Sequence, residues 1–248
     1  MEPKTRAALI ELNRAFYTRF AREFAQTRQS WPPGFRSILP YLQPAFNLLD
    51  LGCGNARLLH FLYAQGWRGH YTGLDGSAEL LALAEGSAQH LAGLQPRFVR
   101  ADLAEEDWGA CLDLHGGHEA ARPDAVAALA VLHHIPGARQ RAGFLAQVAG
   151  IAKGVLVVST WQFLAPRLRT HILPWQAAGL SPEAVEPGDY LLSWGQGAAG
   201  QRYCAFIGEE ALAVLAASAG MQLIETFYAD GHEGNLNLYG VLRRGSRE

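Results

Sequence analysis

The chain has only three cysteines, Cys53, Cys111 and Cys204, widely spaced and without a C-x-x-C pair. That pattern excludes a disulfide framework and a cysteine zinc cluster, and the three read as free thiols. Long hydrophobic runs are also missing: the longest, Ala125 to Leu132, is far short of the ~20 residues that cross a bilayer. The first residues, Met1 to Ala8, lack the apolar core of a signal peptide, so a chain that stays off the membrane and in the cytoplasm is expected. Lysine is nearly absent, with Lys4 and Lys153 the only two among 21 basic residues, a bias of composition to which no function attaches. No repeat, low-complexity tract or polar linker divides the sequence. One domain over 1–248 is therefore expected, and with 49% apolar residues it has material for a sizeable core.

Charge is unevenly spread. Residues 1–36 carry seven basic against three acidic side chains, on a chain whose net charge is −2. The arm bearing Arg6, Arg14, Arg19, Arg22, Arg28 and Arg36 is thus the one candidate face for a nucleic-acid backbone, with a solvated helix face as the plain alternative.

Apolar segments alternate with helical patterns along the rest. Residues 46–51, 70–75, 97–102, 124–131 and 154–160 read as strands, with amphipathic helices after the first, second and fourth. An Ala-rich helix at 208–219 and two strands at 221–228 and 235–243 follow. The last two are joined by a hairpin-length link through Gly231 and Gly234, too short for a crossover, so the last strand is antiparallel. The expected fold is α/β and Rossmann-like: a mostly parallel seven-stranded sheet with helices on both faces. Before it, Leu9, Leu12, Phe16, Phe20 and Phe24 recur at helical spacing up to Trp31-Pro32-Pro33-Gly34, which gives a helical cap over 1–40. Between the fifth strand and the Ala-rich helix, residues 161–207 hold three Trp, four Pro and five Gly. They are too aromatic for a disordered linker and read as a lid-like insertion.

The main chemical signal is Asp50-Leu51-Gly52-Cys53-Gly54-Asn55-Ala56-Arg57, at the first strand-to-helix turn. Gly52 and Gly54 let the backbone turn tightly and approach a ligand, and the following helix aims free N–H groups at it. Asp75 ends the second strand, followed by Gly76, where a carboxylate meets a ribose diol; its plain alternative is turn chemistry with Ser77 as N-cap. A dinucleotide dehydrogenase needs a third glycine for close helix–strand packing. Arg57 holds that place, after Ala56, so the dehydrogenase reading falls.

Leu49 to Asn55, Gly73-Leu74-Asp75, Ala101-Asp102-Leu103 and Val131-Leu132-His133-His134-Ile135 together resemble the successive motifs of class I S-adenosylmethionine-dependent methyltransferases. The resemblance implies S-adenosylmethionine as cofactor and no metal. It places Gly52 and Gly54 at the methionine part, Asp75 at the ribose hydroxyls, Asp102 at the adenine amino group and the Ala130–His133 segment under the sulfonium, with Asp50, Cys53, Gly76, Leu103 and Leu132 among the further cofactor-binding residues. Further stretches are similar to the family that methylates carboxymethyl-uridine at the tRNA wobble position: Phe16-Tyr17 through Arg28 and Trp31, Asp189 to Trp194, and Gln201-Arg202-Tyr203-Cys204-Ala205-Phe206. That similarity implies a tRNA acceptor and a small activating partner protein, and it adds Tyr17, Arg28 and Trp31 to the residues around the cofactor.

Methyl transfer from a sulfonium is an in-line displacement, so the protein has mainly to hold nucleophile and methyl near ~3–3.5 Å in a dry pocket. A carboxylate acceptor needs no base, only groups that orient it, for which Arg202, Arg28 and Tyr203 are the candidates. An amine or phenol calls for a base such as His133, which reads equally as a packed loop residue. Trp31, Trp194 and Tyr17 are read either as covers over the cofactor or a stacked base, or as packing. His115 and His118 have no third ligand nearby and read as a surface loop. Three functions stay open: a methyltransferase on a tRNA wobble carboxymethyl group, a methyltransferase on a small carboxylic acid, phenol or amine, and a non-catalytic methyltransferase-like module that binds partner proteins.

Overall fold

The computed structural model describes residues 1–28, 30–112, 122–195 and 200–245; His115 and His118 lie outside them. Strands β1 (Asn47–Leu51), β2 (His70–Asp75), β3 (Arg97–Arg100), β4 (Ala125–Leu129) and β5 (Val155–Trp161) are parallel, and β9 (Met221–Ala229) and β10 (Asn237–Arg244) complete a seven-stranded sheet. Its order is β3-β2-β1-β4-β5-β10-β9. Strand β10 pairs antiparallel with both β5 and β9, so it alone runs against the other six. The antiparallel last strand of the expected fold is present, placed inside the sheet and not at its edge.

Side-chain alternation builds the core. Leu48, Ala125, Ala127, Val155 and Val157 enter one apolar cluster, while their chain neighbours Leu49, Val126, Ala128, Leu156 and Val158 enter another on the opposite face. Helices α2 (Gly34–Leu42), α3 (Arg57–Ala64) and α4 (Ala78–Ala88) cover the first face, through residues such as Ile38, Leu59 and Ala84. Helices α5 (Ala138–Ile151) and α6 (Glu209–Ser218) cover the second, through Leu145, Val148 and Leu212. With both faces covered, β4 reads as an unbroken apolar run, and Ala125 through Ala128 are fully buried.

Helix α1 (Pro3–Gln26) buries Leu9, Ile10, Asn13 and Phe16 and loses helical geometry at Phe20. It packs on a second, three-stranded antiparallel sheet made by residues 161–207, in the order β6 (Ile172–Leu173), β7 (Asp189–Trp194), β8 (Gly200–Ala205). Trp194 joins α1 to that sheet, its ring 5.5 Å from Phe16 and 5.3 Å from Phe20. Trp194 is thus packing. No helix among the described residues is long and apolar enough to cross a membrane.

Candidate active site

The C-terminal ends of β1 to β4 open onto one cleft of about 750 Å³, where open α/β sheets take their ligands. The turn after β1 forms its floor. Gly52 (φ +72°), Gly54 (φ +56°) and Ala56 (φ +60°) all adopt the left-handed region, so the chain reverses within five residues. A Cβ on Gly52 would stand 2.4 Å from a Val131 methyl, whereas one on Gly54 would meet nothing within 4 Å. Gly52 is therefore required by packing, and Gly54 leaves open a surface that a ligand can approach. Ala56, an alanine at a left-handed position that ordinarily favours glycine, is fully buried in the core.

Three carboxylates line the cleft at successive strand ends. Asp75 accepts the backbone N–H of Gly54 at 2.8 Å and that of Ser77 at 2.9 Å, fixing both glycine loop and helix start. Burial nonetheless raises its carboxyl above the usual range. Asp50 is 3% exposed and accepts the Tyr71 hydroxyl at 2.6 Å. Burial pushes Asp50 up to about 7, although the Tyr71 bond opposes the shift. Asp102 accepts the Ala104 N–H at 3.0 Å and the Arg14 guanidinium at 2.8 Å. The loop with room above Gly54, and acceptor carboxylates along one wall, fit an adenosine-bearing cation: Asp75 would hold the ribose, Asp102 the adenine, and Asp50 the charged methionine end.

Cys53, Gly76, Leu103, Tyr17, Arg28 and Trp31 also line the cleft. Leu132 does not, contrary to expectation. It lies on a single 3₁₀ turn (Leu132–His134) whose rotation carries Leu132 into the core, fully buried, while Val131, His133 and His134 face the cleft. Tyr203 is a second correction. On β8, alternation sends Arg202 to the cleft and Tyr203 inward, where its buried hydroxyl donates to Asp189 at 2.7 Å and accepts from Arg141 at 3.0 Å. Tyr203 is a structural residue that holds the small sheet to α5.

Arginines line the cleft as well, Arg28 and Arg202 among them. Arg202, 6% exposed, lies 4.8 Å from the Trp161 ring and 5.4 Å from the Phe16 ring. Arg28 sits over Phe24 and donates to Thr27 Oγ1 at 2.9 Å, and burial lowers it to about 10. Among the described residues no carboxylate pairs with either arginine. His133 and His134 stand beside them. Burial, the neighbouring His134 and Arg202 hold His133 well below the ordinary histidine range. Burial and Arg202 hold His134 at about 3, the carbonyl of Tyr203 notwithstanding.

His133, His134 and Cys204 bring ligand atoms within 4.8 Å of one another. Their chemistry is that of a hydrogen-bonded cluster: His134 Nδ1 lies 3.1 Å from the Tyr203 carbonyl, and burial pushes the Cys204 thiol up to about 12. Two residues here carry no signal that the motifs single out. Asn13 on α1 donates to the carbonyls of His134 and Tyr203, both at 3.2 Å, and accepts the Tyr203 N–H at 2.8 Å. Asp230 accepts from Gly34 N, Asn237 and Tyr239, tying the cap to β10. A polar residue on the apolar stripe of α1 is the one trace of Asn13 in the sequence.

A family model described as a methyltransferase domain matches residues 13–226. The chain belongs to this methyltransferase family. Its cofactor is S-adenosylmethionine, and the methyltransferase is an enzyme. Solved structures agree in fold. An S-adenosylmethionine-dependent methyltransferase of Methanosarcina mazei is 18% identical with TM-score 0.64, over 85% of this chain and 98% of that one. The magnesium protoporphyrin IX methyltransferase of Synechocystis PCC 6803, with S-adenosylhomocysteine bound, is 19% identical with TM-score 0.62, over 94% and 98%. The 1,6-didemethyltoxoflavin-N1-methyltransferase of Burkholderia thailandensis is 19% identical with TM-score 0.62, over 99% and 92%. No curated protein matches the chain in sequence.

Proposed function

We propose that this methyltransferase esterifies a carboxylate, moving the methyl group of S-adenosylmethionine onto a carboxylate oxygen of a small organic acid. One observation carries the reading: two buried or half-buried arginines, Arg28 and Arg202, face the cleft without a carboxylate partner among the described residues. A buried charge is costly unless something compensates it, and a forked guanidinium matches a carboxylate. The histidines add to this. Histidines held neutral and weakly basic by burial are poor general bases, which favours an acceptor that, like a carboxylate, is already ionised.

The small-acid reading is preferred to the tRNA-borne carboxymethyl group for a reason of charge placement. Arg14, though exposed, is bonded to Asp102, Arg6 is bonded to the Ala104 carbonyl and Arg28 turns into the cleft, which leaves Arg19, Arg22 and Arg36 as the exposed arginines of the arm without a carboxylate partner among the described residues. That is a thin basis for holding a phosphate backbone. The resemblance of Arg28, the Asp189–Trp194 stretch and Arg202 to the wobble-uridine enzymes favours the second reading, in which a partner protein would strengthen the grip on RNA. Two structural neighbours have names that specify non-polymeric acceptors, magnesium protoporphyrin IX and 1,6-didemethyltoxoflavin.

Methyl-labelled S-adenosylmethionine, incubated with the protein and either a low-mass metabolite extract or total tRNA, tests both. A base-labile label in the low-mass arm, lost in Arg202→Ala and not restored by Arg202→Lys, is expected. A base-labile label in tRNA moves the acceptor to the second reading, and a base-stable label in either arm overturns esterification.

A further inference from the structure

His134 joins three elements at one point. It sits on the 3₁₀ turn after β4, its ring meets Tyr17 of α1, and it meets the backbone of Tyr203 and the thiol of Cys204 on β8. The contacts fix its proton. A carbonyl oxygen can only accept, so the 3.1 Å contact between His134 Nδ1 and the Tyr203 carbonyl requires hydrogen on Nδ1. The neutral ring then presents a lone pair at Nε2, 2.9 Å from the Tyr17 hydroxyl, which must donate to it. Burial, with Arg202 and Arg28 nearby, keeps the ring neutral, so this tautomer does not change over the physiological range.

The consequence falls on Tyr17. With its proton committed to His134, the Tyr17 oxygen offers only lone pairs to the groups facing it. Those groups are cationic: Arg202 and Arg28 line the same cleft, Arg202 over the Phe16 ring and Arg28 over the Phe24 ring, and both rings pack edge-on against Tyr17. A phenol oxygen that turns its lone pairs toward a guanidinium attracts it without neutralising it, and the positive charge stays available to an anion.

We infer that His134 is a positioning residue, which through its Nε2 lone pair takes the Tyr17 proton and so turns the lone pairs of Tyr17 toward the Arg202 and Arg28 side of the cleft, holding those cations where the acceptor carboxylate binds. The inference rests on the carboxylate reading above for its purpose, and on the geometry alone for its mechanism. Tyr17 is then a link to the acceptor side, where the sequence resemblance has it beside the cofactor.

Two isosteric substitutions separate this from a merely structural role. Asparagine places an amide N–H where His134 Nδ1–H stands and offers nothing at Nε2; glutamine reaches the Nε2 position with a carbonyl acceptor and gives up the bond to Tyr203. If His134 acts through Tyr17, His134→Gln methylates the productive extract about tenfold faster than His134→Asn, and both bind S-adenosylhomocysteine like wild type. The reverse order, or equal rates, overturns the inference. Nitrogen-15 spectra of the imidazoles give a readout that needs neither variant nor acceptor. A neutral His134 with the proton on Nδ1 from pH 5 to pH 9 is expected, and an Nε2–H tautomer or a titration in that range refutes it. Failure of the carboxylate reading shows separately, as a base-stable product.

Discussion

Asp50 offers the sharpest quantitative test. Its carboxyl is buried beside the glycine loop, held by the Tyr71 hydroxyl at 2.6 Å, and raised from 3.8 to about 7 by burial. The folded protein therefore keeps a proton that the unfolded chain releases. This group stabilises the fold most below about pH 4, and that contribution is lost as pH rises to about 7, with no further change above. The gap between 3.8 and about 7 corresponds to roughly 4 kcal/mol, of which roughly 2 to 3 kcal/mol falls between pH 5 and pH 8. Asp50→Asn removes the ionisation and keeps an acceptor for Tyr71. Urea denaturation at pH 5 and pH 8 is expected to show the mutant gaining on wild type by that amount. With the methionine end of the cofactor held beside Asp50, the penalty would become a binding term: a sulfonium and an ammonium there would draw the carboxyl back to its ionised form. Calorimetry on wild type should then give tighter S-adenosylmethionine binding as pH rises from 6 to 8, with a weaker trend for the uncharged thioether product. A stability gap that stays constant within ~0.5 kcal/mol from pH 5 to pH 8 would refute the reasoning.

Three further outcomes are expected. Asp75→Ala removes the acceptor for the Gly54 and Ser77 N–H groups along with the proposed ribose contacts, so S-adenosylmethionine affinity should fall about ten- to a hundredfold by calorimetry. Tyr203→Phe leaves Asp189 and Arg141 short of a partner in the interior, which should cost about 1–3 kcal/mol in denaturant unfolding while the affinity for S-adenosylhomocysteine stays put. Gly52→Ala drives a methyl against Val131 at a left-handed position and should lower stability by about 1–3 kcal/mol. Gly54→Ala has clear space for its methyl and should be the milder of the two in a thermal melt, yet the more damaging to cofactor binding relative to its effect on stability.

Local patterns were readable in the chain itself. The alternation that sends Leu48 and Leu49 to opposite clusters, the glycine turn after β1, and Asp75 at the end of β2 and Asp102 just past β3 depend on neighbours a few residues apart, and each recurs at its expected place. The hairpin through Gly231 and Gly234 likewise dictated an antiparallel last strand, because so short a link cannot cross over. What tertiary structure alone decided is whatever depends on a partner distant in sequence. The insertion of β10 between β5 and β9 follows from pairing across some eighty residues, which no local period encodes. Arg202 and Tyr203 are adjacent letters with equal claim to the site, and only the register of β8 against β7, with α1 lying across it, sends one to the cleft and the other to Asp189. That no carboxylate pairs with Arg28 or Arg202 among the described residues is a fact of space and not of composition, since acidic residues are plentiful in the chain and Asp50, Asp75 and Asp102 stand in the same cleft without pairing with either arginine. The tautomer of His134 is set in the same way, by a backbone carbonyl seventy residues along that becomes its neighbour only when the small sheet docks on the end of β4.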